Sequence, residues 1–304
     1  IQASATEGKE SGKLVIEADK IIKTYGDRAI VAPFSIRVHR GDCIGLIGPN
    51  GAGKTTLLKM LTGQLEPDEG LVKLGTNLEI AVLDQKREDL NPDDTLAHYL
   101  TDGRGDNLLV NGEQKHVTGY MKDFLFQPEQ ARTPIRNLSG GERARLMLAR
   151  IMAKPSNLLI LDEPTNDLDI ETLDLLQEIV AGYTGTVILV SHDRDFLDRT
   201  VTSTIAPANP DAPDGRWIEY AGGYSDMLAQ RKGVEDERKR VEKAEKAKAQ
   251  EASGGKSADG GSKGKGKLSF KQKFALENLP KEMEKAEKEI AAREARMADP
   301  NLFT

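Results

Sequence analysis

The apolar positions of the first 230 residues change period repeatedly. LVIEADKIIKTY (14–25) and FSIRVHRG (34–41) alternate apolar with polar, as half-buried strands do, with a turn expected near Gly26-Asp27. CIGLIG (43–48) is a short continuous apolar run, the pattern of a strand buried on both faces. GPNGAGK then breaks the pattern, and TTLLKMLTG (55–63) resumes it at helical spacing. LVKLG (71–75) and LEIAVLDQ (78–85) predict two more strands. DTLAHYLTDG (94–103), HVTGYMKDFLF (116–126) and the stretch from Ser139 to Lys154 predict three helices. Two further apolar strands, NLLILDEP (157–164) and TVILVSHD (186–193), are each followed by a helical pattern, at 170–183 and 194–201. Residues 203–226 carry Pro and Gly turns in a hairpin-like stretch. Strands alternating with helices predict an α/β fold with a largely parallel sheet. The strand-rich start predicts an antiparallel patch beside it.

The pattern is absent at both ends. Residues 1–12 (IQASATEGKESG) are small and polar and read as a flexible leader. Residues 231–267 are almost bare of large apolar side chains, and ASGGKSADGGSKGKGK within them reads as a disordered linker. Residues 268–304 turn helical again. There Leu279, Met283, Ala286, Ile290 and Met297 form a coiled-coil-like stripe that Pro280 would start or kink. The expected organisation is therefore a leader at 1–12, one domain at 13–230, a linker at 231–267 and a partial helical domain at 268–304. The chain opens on Ile1, which we read as a piece of a longer protein.

Hydrophobic residues make up 38% of the chain, enough for a sizeable core. No window approaches the roughly 18 apolar residues that span a bilayer, and no secretory signal is visible. A cytoplasmic, membrane-free protein is expected. Cys43 is the only cysteine, so no internal disulfide can form, and its place in CIGLIG predicts a buried strand residue. Residues 231–267 hold 12 Lys+Arg against 7 Asp+Glu, net +5, whereas residues 1–230 hold 24 against 35, net −11. Any contact with a polyanion is expected in the tail.

GPNGAGKT fits the phosphate-loop pattern G-x-x-x-x-G-K-T, after an apolar strand and before a helical run. Its glycines let backbone N–H groups turn toward phosphate oxygens. Lys54 would reach the β- and γ-phosphates, and the Thr55 hydroxyl would ligate Mg²⁺. NLLILDEP delivers Asp162 and Glu163 at a strand's C-terminal end, where ligands bind in open α/β sheets. Asp162 would support Mg²⁺ and Glu163 would act as general base on an attacking water. Taken alone, Gln85 is a strand-end amide, and His192 is either structural or a group able to hydrogen-bond a γ-phosphate. Tyr25 is either a half-buried strand aromatic or a stacking surface for adenine.

Tyr25, GPNGAGKTT, Gln85, LSGGE, LLILDEP, NDLD and SHD occur in the order of an ABC-type ATPase cassette, which this chain strongly resembles over about 220 residues. The resemblance implies a P-loop fold with a mixed sheet, an antiparallel β patch and a helical subdomain. It implies ATP held by Tyr25 and by Gly48, Pro49, Asn50, Gly51, Ala52, Gly53, Lys54, Thr55 and Thr56. Catalysis would fall to Glu163, His192 and Gln85, and Mg²⁺ to Thr55, Gln85 and Asp162. Ser139, Gly140, Gly141 and Glu142 would form the signature turn that faces a second cassette's nucleotide, and Asp169 would lie in a loop crossing that interface. LSGGERARLMLAR and KPSNLLILDEPTNDLDIETLDLL resemble the ABC-F class, which has two cassettes on one chain. VNGEQKHVTGYMKDFLFQPEQARTPIRNLSGGE and KLSFKQKFALENLPKEMEKAEKEI are similar to the second cassette and C-terminal domain of Uup-type members.

The implied partners are a second cassette, from the same full-length protein or a second copy, and a ribosome with tRNA or a branched DNA. The alternatives are the ATPase subunit of an ABC transporter, and a nucleic-acid tether that hardly turns over; the presence of Glu163 speaks against the tether. A lone cassette is expected to bind ATP weakly and hydrolyse it slowly unless it pairs.

Overall fold

The computed structural model describes residues 5–6, 12–84, 90–166, 168–234 and 236–237. Gln85, most of the basic linker and the helical stripe of 268–304 lie outside the described residues.

Two sheets and one central helix build the nucleotide half. Strands β1 (Leu14–Tyr25), β2 (Arg28–His39) and β4 (Glu69–Leu74) form an antiparallel sheet in the order β2-β1-β4. The second sheet has six strands: β3 (Cys43–Leu46), β5 (Ile80–Asp84), β8 (Leu158–Asp162), β9 (Thr186–Val190), β10 (Ser203–Pro207) and β11 (Trp217–Ala221). Its order is β11-β10-β3-β9-β8-β5, with every pairing parallel except that of β11. Helix α1 (Lys54–Leu61) buries Leu57, Leu58, Met60 and Leu61 in the core shared by the two sheets.

The apolar runs of the central strands follow from burial on both faces. In β8, Leu158 and Ile160 enter the core that holds α1, whereas Leu159 and Leu161 enter the core on the opposite face. In β9, Ile188 and Val190 face α1, and Val187 and Leu189 face away. Each strand keeps period 2, but both phases are apolar, so no polar residue interrupts it.

The opposite core is closed by helices: α2 (Leu96–Thr101), α3 (Val117–Asp123), α4 (Gly140–Ala153), α5 (Ile170–Gly182) and α6 (Arg194–Thr200). Tyr120 and Phe124 are its largest fully buried side chains from the helical subdomain, and the Tyr120 hydroxyl donates to the Ala149 carbonyl at 2.8 Å. Cys43 is buried as expected, and burial pushes its thiol up to about 12.

Three details depart from the sequence expectations. Residues 107–116, given no strand above, form a hairpin of β6 (Asn107–Val110) and β7 (Glu113–His116). Its turn is Asn111-Gly112, with φ of 53° and 80°, the left-handed pair that a tight hairpin requires. Within the expected flexible leader, Ala5 and Thr6 are buried. The Thr6 N–H donates to the Met152 carbonyl at 2.7 Å and the Thr6 carbonyl accepts from Ser156 N at 3.1 Å, so this pair closes the exposed end of α4. The cassette also runs past the expected boundary at 230. Residues 224–234 are helical, and Met227 anchors that helix in the core at 2% exposure.

Candidate nucleotide site

Sheet order, not chain order, assembles the site. The loops after β3, β9 and β8 leave three neighbouring parallel strands at one level, since Leu46 pairs with Val190 and Val190 with Asp162. The loop after β3 is Ile47–Gly53, that after β9 carries His192, and that after β8 carries Glu163. Residues more than a hundred positions apart therefore share one edge of the sheet, where open α/β folds bind ligands.

The phosphate loop enters α1 through Gly53, whose φ is 104°. A side chain there would also place its Cβ 2.4 Å from Ile30 Cγ2, so β2 closes the space from outside. Gly51 has φ 77° and its carbonyl accepts from Arg28 at 2.8 Å, which ties the loop to the β1–β2 hairpin. Arg28 carries no sequence signal of its own, because its partner is a backbone atom in another element. Ile30, Asn50, Gly51, Gly53, Lys54, Thr55, Thr56, Asp162 and Glu163 line a cleft of about 350 Å³. Gly48, Pro49 and Ala52 shape the same loop from behind, with Ala52 N donating to the Pro49 carbonyl at 3.2 Å.

Lys54, His192 and Glu163 form a charge chain. The Lys54 ammonium donates to the Gly48 carbonyl at 2.7 Å and lies 3.2 Å from His192 Nε2. The same Nε2 lies 3.2 Å from Glu163 Oε1. One nitrogen serves either as acceptor for Lys54 or as donor to Glu163, so the imidazole tautomer decides which neighbour it holds. Burial lowers the Lys54 pKa, opposed by the Glu163 and Asp162 carboxylates. Burial raises that of Glu163; His192 and Lys54 oppose the rise and Asp162 adds to it. Glu163 also has φ 51°, a left-handed conformation that non-glycine residues seldom adopt, fixed by its N–H donating to the Val190 carbonyl at 2.8 Å.

The donors suit a hard divalent cation. The Thr55 hydroxyl and Asp162 carboxylate line one cleft, and the Asp162–Glu163 repulsion is what a cation would relieve. Among the described residues no group of three His, Cys, Asp or Glu side chains is placed to hold a metal ion by itself, so Mg²⁺ would depend on few protein ligands plus phosphate oxygens and water.

Tyr25, 54% exposed, ends β1 with Lys23 Nζ 5.9 Å from its ring centroid. It is not among the side chains lining the cleft.

Ser139, Gly140, Gly141 and Glu142 stand elsewhere. Ser139 caps α4: its hydroxyl accepts from Glu142 N at 3.2 Å, and Glu142 Oε2 accepts from Ser139 N at 2.9 Å. The other carboxylate oxygen of Glu142 accepts from Gln130 at 2.9 Å. Both oxygens are thus turned inward, and these hydrogen bonds hold the Glu142 carboxyl below the usual carboxylate range. Within this chain its placement is that of a group that fixes the turn. Gly140 has neither a left-handed φ nor a neighbour within 4 Å of an added Cβ, so this chain's own fold does not require glycine there.

Asp169 is likewise engaged within the chain. It caps α5 through Thr172 N at 2.8 Å and accepts from the buried Arg145 at 2.7 Å. The Thr172 hydrogen bonds, then Arg145, lower its pKa.

Comparison with known proteins identifies the family. A family profile described as "ABC transporter" matches residues 31–166, and one described as "ABC transporter C-terminal domain" matches residues 267–304. The chain is 47% identical to the ATP-binding protein Uup of Caulobacter vibrioides over 294 residues, 97% of this chain and 48% of that protein. It is 46% identical to Uup of Escherichia coli, over 98% of this chain and 45% of that protein. The energy-dependent translational throttle protein EttA of Mycobacterium tuberculosis is 38% identical, over 75% of this chain and 41% of that protein. The chain thus spans about half the length of these relatives. Among solved structures, a nucleotide-free ATP-binding cassette from an ABC transporter aligns with TM-score 0.51 at 22% identity, over 71% of this chain and 94% of that one. An ATP-binding subunit of an ABC transporter aligns with TM-score 0.55 at 20% identity, over 71% and 92%. At those identities the likeness concerns the fold. Among the described residues no helix is long and apolar enough to cross a membrane.

Proposed function

The chain belongs to the ABC ATPase family, among its Uup-type members, and on that premise we propose that it binds and hydrolyses ATP at sites shared with a second cassette. One observation carries the shared-site reading. The phosphate loop, Asp162 and Glu163 line one cleft, and no residue of Ser139–Glu142 lines it. The cap engages the N–H groups of Ser139 and Glu142, which leaves those of Gly140 and Gly141, in the first helical turn, for a phosphate that this chain's own loop does not hold. Gly140 supports the same reading. Glycine is a poor helix former, and nothing within the chain crowds the position. Close approach by a facing nucleotide supplies a reason for it.

In this reading the phosphate-loop N–H groups and Lys54 hold the triphosphate, and Tyr25 offers an exposed ring to adenine. Mg²⁺, when bound, would neutralise phosphate charge beside Thr55 and Asp162, with Gln85 as a further ligand. Glu163 accepts the proton of the attacking water. His192, already between Lys54 and Glu163, hydrogen-bonds the terminal phosphate and turns its loss into movement. The facing cassette is closed onto the nucleotide by contacts that hydrolysis removes.

For the moving partner we favour RNA or DNA, in a ribosome or a branched duplex, and a cytoplasmic setting. The similarity to a translational throttle protein supports a translation-linked role, and the net +5 of residues 231–267 supports phosphate contact by the C-terminal region. The test is specific ATPase activity against protein concentration. The reading expects it to rise with concentration toward a plateau, and a full-rate, concentration-independent monomer would overturn it.

A further inference from the structure

We propose that the helix at 224–234 is geared to the phosphate loop, with Asp198 and Arg231 as the positioning residues through which bound nucleotide shifts the chain leaving the cassette. The inference rests on the ATP reading above.

Two grips hold this helix. At its start, Ser225 donates from N to Asp198 Oδ1 at 2.8 Å and from its hydroxyl to Asp198 Oδ2 at 2.6 Å. The Arg194 guanidinium packs 4.9 Å from the Tyr224 ring centroid. Asp198 and Arg194 both belong to α6, whose cap, Asp193, is the residue after His192. Farther along, Arg231 donates to the Pro207 carbonyl and, through Nε, to the Tyr220 hydroxyl at 3.1 Å. The Pro207 ring in turn abuts the first glycine of the phosphate loop, since a Cβ on Gly48 would lie 3.1 Å from both Pro207 Cγ and Cδ.

The two grips therefore end on α6, whose cap adjoins His192, and on Pro207 beside Gly48, and one ammonium touches both His192 and Gly48. Lys54 donates to the Gly48 carbonyl and lies 3.2 Å from His192 Nε2. A phosphate that draws Lys54 onto its own oxygens releases the Gly48 carbonyl and His192 together. A cleft of about 270 Å³ opens beside the helix, walled by Pro49, His192, Pro207 and Arg231 among others. On the cleft side the helix borders open space rather than packed core. It runs into the basic stretch that begins at Arg231, so a displacement of the helix is passed to the following chain by direct covalent continuity.

The test is amide hydrogen exchange of residues 224–234 in the full chain, with and without ATP and Mg²⁺, with nucleotide affinity measured on the same samples. The parent should bind ATP and change its exchange in this helix by about threefold or more. Arg231→Met keeps the apolar stem and Asp198→Ala frees the other end. Each should bind ATP within about twofold of the parent yet lose the exchange response, and Arg231→Lys should restore part of it. Binding without any exchange response in the parent, or a full response in both variants, would overturn the inference. Absence of ATP binding by the parent would instead remove the reading on which it rests.

Discussion

His192 Nε2 stands 3.2 Å from Glu163 Oε1, and that contact joins the ends of two adjacent parallel strands at the edge of the cleft. It makes Glu163 a base whose proton affinity depends on its neighbours. Glu163→Gln keeps the side chain's shape and removes its basicity. Hydrolysis should fall by about 10²- to 10⁴-fold, while nucleotide binding, measured with a fluorescent analogue, survives. The raised pKa also sets a pH dependence. Activity should fall with acidification sooner than an ordinary glutamate would dictate, because the base must be ionised. Stability runs the other way: a raised folded pKa contributes stability that is complete below the unfolded value and lost as pH rises through the folded one. Melting curves of parent and Glu163→Gln across that window should converge at acid pH.

Gly53→Ala should abolish tight nucleotide binding. The left-handed φ of 104° is strained for alanine, and the new methyl would lie 2.4 Å from Ile30 Cγ2. Gly51→Ala is the informative contrast. Its φ is 77°, but nothing lies within 4 Å of the added carbon, so it carries strain alone. Titration should give a larger affinity loss for the first change than for the second.

Glu142 holds Ser139 from two sides, so its removal should loosen the turn rather than the cleft. Glu142→Ala should cost about 1 kcal/mol of stability through the lost cap. It should lower turnover in paired cassettes without weakening ATP binding to the isolated chain. Glu142→Gln keeps one acceptor oxygen for Ser139 but turns an NH2 toward the Gln130 amide, so it should recover only part of both losses.

Arg145 is 8% exposed and its guanidinium is shared by Asp169, Thr172 and the Leu125 carbonyl. Asp169→Ala removes both a helix cap and that arginine's carboxylate. The cap alone is worth about 1 kcal/mol; the ion pair adds little on the half-exposed Asp169 side. Because the Asp169 pKa is lowered, its contribution is present at neutral pH and lost as pH falls through the folded value. Thermal melts of Asp169→Ala and the parent should therefore differ at pH 7 and approach each other in acid.

Much of this arrangement is legible in the sequence. The apolar runs of β3, β8 and β9 mark strands buried on both faces, and the residues closing them, Gly48, Asp162, Glu163 and His192, are those the sheet brings to one edge. What the chain did not disclose depends on contacts between distant elements. Arg28 acts on a backbone carbonyl, Gln130 reaches a glutamate twelve residues on, and Arg231 grips a proline carbonyl. None of these has a spacing rule. The β6–β7 hairpin did carry a signal, Asn111-Gly112, but its outer residue Leu109 is exposed and its strands are short, so the alternation is faint. The inward turn of Glu142 was readable in part, since Ser139 and Glu142 have capping-box spacing.

The shared-site claim is tested most directly by mixing two disabled chains. Gly140→Asp suits the first position of α4, where a negative charge favours the helix, and its Cβ meets no neighbour within 4 Å. It would nonetheless repel a phosphate presented from across an interface. Glu163→Gln leaves the start of α4 intact and disables the base. If the sites are shared, each variant alone is inactive, and an equimolar mixture regains up to about a quarter of parental activity, because half the random pairs hold one intact site out of two. A mixture as silent as its components, or a Gly140→Asp chain that hydrolyses ATP at the parental rate by itself, would contradict the account.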